Sequence, residues 1–104
     1  MSSTPALPPL TLPQLRQRRA AILDVALRHG ATNVRVFGSV LRGDTHPGSD
    51  VDLLVDLEQG RSLLDLGALL MDLTDLLNRE VDVVTEKGLR ERLRPRVVAE
   101  AVPL

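Results

Sequence analysis

The sequence predicts a small α/β (α+β) domain, a short mixed sheet of three strands or slightly more packed with about four helices. Three observations lead there. Apolar residues recur at helical spacing over residues 12–29 and 62–77, and at strand spacing over 33–38, 50–57 and 80–85. Helical and strand segments alternate along the chain, which suggests a sheet covered on one face by its own connections. The length of 104 residues sustains one modest core rather than two lobes.

The elements follow in chain order. Residues 1–10 are Ser/Pro-rich and read as a flexible arm ahead of a domain over 11–104. Thr11 is placed to cap a helix, with Gln14 as its capping-box partner. Leu15, Ile22, Leu23, Ala26 and Leu27 then mark one continuous helix to about residue 29, where Gly30 stops it. NVRVFG at 33–38 alternates, with Val34 and Val36 on one face and Arg35 and Phe37 on the other. A loop over 38–49 leads to DVDLLVDL at 50–57. There Val51, Leu53, Val55 and Leu57 share a face, and Asp50, Asp52, Leu54 and Asp56 share the opposite one. Ser62 caps the next helix, with Asp65 near its positive end. Leu63, Leu66, Leu70, Leu73 and Leu77 form its core stripe. Leu64, Leu69 and Leu76 widen that stripe and are candidates for an exposed protein-binding flank. EVDVVT at 80–85 is the third strand. A last helix covers about 88–101, with Pro95 either kinking it or starting a new segment.

Composition narrows the function. With no cysteine, the chain has neither disulfides nor thiolate metal sites. It contains no uninterrupted apolar run of membrane-spanning length, and its start lacks the pattern of a signal peptide, so the expectation is a cytoplasmic protein with no membrane partner. The net charge of −1 conceals an uneven distribution. Residues 1–43 hold six arginines against one aspartate, residues 44–86 eleven acids against two arginines, and residues 87–104 five bases against two acids. An acidic centre, and Phe37 as the single aromatic residue, argue against direct nucleic-acid binding.

The chemistry lies in GSVLRGDTHPGSDVDLLV, residues 38–55. Strand alternation puts Asp50 and Asp52 on the same side, where two anions repel each other or hold a cation between them. Asp82 is a carboxylate inside a short apolar strand, and joins the other two if strands 50–57 and 80–85 are neighbours. Oxygen-only donors suit Mg²⁺, which takes one or two carboxylates plus substrate phosphates. Gly38 lets backbone approach a ligand closely, and Ser39 with the amides of its turn can hold phosphate oxygens. These parts are suited to nucleotidyl transfer.

Gly38-Ser39, ten residues, then Asp50-x-Asp52 and a distal Asp82 resemble the polymerase-beta-type nucleotidyltransferase signature. The fuller string resembles that superfamily's minimal nucleotidyltransferase (MNT) branch, and the match covers about residues 14–100. The resemblance implies a small nucleotidyltransferase fold using ATP and two Mg²⁺ ions. It implies Asp50, Asp52 and Asp82 as catalytic metal ligands, and Gly38 and Ser39 as phosphate-binding residues. Arg42 and Ser49 would steady the triphosphate or its loop. It also implies a partner, a HEPN-type toxin that the chain silences as antitoxin by placing AMP on a hydroxyl, expected to be a tyrosine's. Two other readings stand beside it: an adaptor that neutralises its partner by binding alone, and a transferase acting on a small molecule.

Several conspicuous residues have simpler readings. His46 and Asp44 read as loop and turn residues, Asp56 as a solvated strand end, and Phe37 as core. His29 sits at a helix C-terminus, where a cation is mildly favourable. The arginine clusters at 16–19 and 90–96 read as solvated helix faces, open to a contact with an acidic partner or RNA.

Overall fold

The computed structural model describes residues 8–46 and 50–104. Strands β1 (Ala31–Phe37), β2 (Val51–Leu57), β3 (Val81–Val84) and β4 (Val102–Pro103) form one sheet in the order β3-β2-β1-β4. β2 and β3 are parallel, while β1 is antiparallel to both β2 and β4. A parallel pair needs a crossover. Helix α4 (Leu63–Leu77) supplies it, beginning at a capping box in which Ser62 and Asp65 satisfy each other's amides.

The expected first helix is two, α1 (Leu12–Gln17) and α2 (Arg19–Arg28). The Arg18 amide bonds the Leu15 carbonyl three residues back, at 3.0 Å, and this tightened turn ends α1. The apolar spacing survives the break, because Leu15 and Ile22 are both fully buried. The Thr11–Gln14 capping box is present. Ahead of it, Leu10 packs against the core and the Pro8 carbonyl accepts a 2.9 Å bond from Arg79 Nε.

The core lies between one sheet face and α1, α2 and α4. Val34, Val36, Val51, Leu53, Val55, Val81 and Val83 meet Leu15, Ile22, Ala26, Leu69, Leu73 and Leu77 there. The core face of α4 differs from the expected stripe. Leu69 is completely buried and Leu76 partly, whereas Leu63 and Leu64 are 82% and 85% exposed and Met71 joins them on the outside. Helical spacing alone gives the stripe's width, and packing decides its centre. Leu69→Ala is expected to lower unfolding free energy by about 3 kcal/mol in a urea titration, the usual cost of an unfilled leucine site.

The C-terminal part also departs from expectation. Residues 85–93 form turns, and α5 is confined to Arg94–Glu100, with Pro95 in its first turn as a new start. The chain then adds β4 to the free edge of β1. Arg16 secures this end by donating to the carbonyls of Pro103 at 3.1 Å and Leu104 at 3.3 Å. Arg18 reaches the Leu76 carbonyl at 2.9 Å, and Arg94 the carbonyls of Glu86 and Leu89. These members of the two arginine clusters are therefore fasteners between elements. Among the described residues, no helix is long and apolar enough to cross a membrane.

Candidate active site

The second sheet face carries the charges. β1 runs out at Phe37, and Gly38 takes φ 76° and ψ −153°, a conformation open essentially to glycine alone. A Cβ on Gly38 would overlap the Asp52 carboxylate, so the missing side chain is the space in which that carboxylate rests. The chain then makes α3 (Ser39–Arg42), a single turn closed by Gly43 in the left-handed region. The Ser39 carbonyl accepts the amides of Gly43 at 2.9 Å and Asp44 at 3.2 Å, which folds the turn back on itself.

The parallel register sets Asp52 directly beside Asp82. Side chains at paired positions share a face, so the neighbour relation on which the three-carboxylate cluster depends is present. Asp50 lies one residue ahead of β2, exposed, and the Val51 amide bonds the Glu80 carbonyl at 2.9 Å to align the two strand starts. Burial, then the charges of Asp82 and Asp50, push the Asp52 carboxyl up to about 6, while Arg42 acts in the opposite direction. Antiparallel pairing puts Phe37 opposite Asp52. The one aromatic residue is thus half-buried on the charged face and outside the core cluster, contrary to expectation, because the strand period assigns it to that side.

A divalent cation suits this donor set. Its ligands would all be oxygens, and the repulsion already felt by Asp52 is what bound positive charge relieves. Among the described residues no three acidic or histidine side chains stand ready as a complete cage.

Other sequence candidates have different positions. Asp56 accepts from Arg35 at 2.9 Å and Asn33 at 3.0 Å, so it belongs to a structural ion pair. His29 Nε2 lies 2.6 Å from an Asp72 oxygen. Asp44 bonds Arg42. His46 is exposed. Ser49 lies outside the described residues. One participant was missed: Glu100 of α5 bonds Arg42 at 2.8 Å and adds to the negative field at Asp52. Nothing in the local sequence near Glu100 signals this, because the approach depends on how the chain returns to β1. A cleft of about 640 Å³ at the opposite end of β2 and β3, lined by Asp56, Glu58, Arg61 and Glu86 among others, contains none of the aspartates of the signature.

The profile of the nucleotidyltransferase domain family matches residues 19–104. The chain is 40% identical over 75 residues to the protein adenylyltransferase MntA of Thermococcus cleftensis, covering 72% of this chain and 76% of that protein. A solved structure described as that of a "putative minimal nucleotidyltransferase" superposes with a TM-score of 0.81 at 53% identity, covering 91% of this chain and 97% of the other. A toxin–antitoxin crystal structure with AMP-PNP shares the fold, with a TM-score of 0.69 at 22% identity, covering 81% of this chain and 69% of that one. With the glycine–serine turn and paired aspartates of the signature in place, the chain belongs to the nucleotidyltransferase domain family and is a nucleotidyltransferase of its minimal branch.

Proposed function

We propose that this protein is an antitoxin that transfers AMP from ATP to a hydroxyl, a tyrosine's, on a HEPN-type toxin partner. The observation that carries this reading is the pairing of Asp52 with Asp82 beside the side-chain-free Gly38. Similarity to a protein adenylyltransferase supports the acceptor class, and the fold shared with a toxin–antitoxin structure supports the partner class.

In the reaction, the acceptor oxygen attacks the α-phosphorus of ATP. A new P–O bond forms, the bond from that phosphorus to the bridging oxygen breaks, and pyrophosphate leaves. Asp50, Asp52 and Asp82 would hold Mg²⁺, which when bound supplies charge neutralisation for the triphosphate and a more acidic acceptor hydroxyl. Asp82 is the carboxylate assigned to assist removal of the hydroxyl proton. Gly38 and Ser39 bind the β- and γ-phosphates through the turn amides and the Ser39 hydroxyl. Arg42 steadies the same phosphates.

The test uses ATP labelled at the α-phosphate, Mg²⁺, the purified chain and its toxin partner. Label is expected on the partner, and Asp82→Asn is expected to reduce it by about 10²-fold or more. A tight complex that never acquires label would sink this reading in favour of neutralisation by binding alone.

A further inference from the structure

Arg42 closes α3 beside a group of carboxylates and lies within electrostatic range of Asp52. Its guanidinium nevertheless makes its ion pairs elsewhere. Nη1 donates to Glu100 at 2.8 Å and Nε to Asp44 at 3.1 Å. Among the described residues, no ion pair joins Arg42 to Asp50, Asp52 or Asp82.

Asp44 lies two residues from Arg42, on the same turn, and moves with it. Glu100 approaches from a separate element. Its side chain is 25% exposed against 51% for Arg42, so it is the more buried partner. Its support is also firm. Two residues after Glu100, at Val102, the chain enters β4, which pairs with β1 at Arg35 and Val36. The Leu104 amide then bonds the Val34 carbonyl at 3.0 Å, and Arg16 grips the last two carbonyls. A carboxylate on such a platform fixes the plane of a guanidinium better than one on a loop.

An arginine without this hold would turn to the nearest unpaired anions, the aspartates of β2 and β3. It would then mask oxygens needed for a cation and use up its own phosphate donors. We propose that Glu100 is a positioning residue, which holds Arg42 away from Asp50 and Asp52 and so keeps the guanidinium available to the triphosphate. This rests on the transferase reading in which Arg42 is a phosphate ligand.

The proposal predicts a sign that plain electrostatics does not. Glu100 adds negative charge near the nucleotide, so its field alone opposes triphosphate binding, and neutralising it would tighten binding. Loss of the hold weakens it. Mg·ATP is titrated calorimetrically into the full chain as wild type, Glu100→Gln, Arg42→Ala and the double variant, with melting temperatures recorded for each. Glu100→Gln is expected to weaken binding about 3–10-fold, and to cause no weakening in the Arg42→Ala background. Unchanged or tighter binding by Glu100→Gln overturns the proposal. An equal loss in both backgrounds, which a merely structural role would give, overturns it too. A wild type that binds no nucleotide overturns the transferase reading first, and the role of Glu100 with it. That outcome is read from the wild type alone, so the two failures are distinguishable.

Discussion

Asp52→Asn is expected to raise the thermal stability of the chain and sharply lower its nucleotidyl transfer. Burial, and then the charges of Asp82 and Asp50, push the pKa of this half-buried carboxyl up to about 6 from an ordinary value of 3.8. The folded state therefore holds a proton more tightly than the unfolded state. Wild-type stability carries this cost in full above pH 6 and is relieved of it as pH falls from about 6 towards 4. Asparagine has no such cost. Discounted for partial solvent screening, the expected gain at pH 8 without divalent cation is about 1–2 kcal/mol, a melting-temperature rise of roughly 5–10 °C. The gain should disappear by pH 4. Over the same substitution transfer is expected to fall by about 10²–10³-fold, the scale seen when one preorganised charge-stabilising group is removed. A variant that loses activity without gaining stability at pH 8 would contradict the crowded-carboxylate account.

Gly38→Ala is expected to cause the largest loss of stability among single-methyl additions here. Two effects combine. The backbone at φ 76° and ψ −153° excludes an L side chain, and the added Cβ would overlap the Asp52 carboxylate. Their sum is about 2–4 kcal/mol, read as a melting temperature lower by roughly 10–20 °C. Gly43→Ala gives the cost of a positive φ without a clash. Gly43 also has positive φ, but an added Cβ there meets nothing within 4 Å. Its cost should be strain alone, about 1 kcal/mol. If both variants melt together, the close approach of Gly38 to Asp52 is not what confines that position to glycine.

Legibility in the sequence followed the range of the cause. Asp50, Asp52 and Asp82 could be assigned to faces because strand alternation is local, and the caps at Thr11 and Ser62 because each involves a partner three residues away. The pairing of Asp52 with Asp82 needed a parallel register that no local pattern specifies. The bulge in β1 between Thr32 and Arg35, with Asn33 at φ 51°, puts both Ala31 and Val34 in the core at a spacing that simple alternation forbids. Strand β4 is too short for any periodicity, and Glu100 reaches the site only because β4 pairs with β1. The division of the first helix was hidden because the break preserves its apolar spacing.

The parallel pairing of β2 with β3 also divides the chain into parts that tolerate changes of length and parts that do not. The two acids meet through an α4 crossover that is joined by turns at Gln59-Gly60 and Asn78-Arg79. Extra residues at those turns leave the strand register alone. One extra residue within 51–54 would turn the following side chains to the opposite face, bringing Asp56 into the core and Val55 out of it. The crossover turns are therefore the natural insertion points for grafting a segment that redirects this scaffold to a new acceptor.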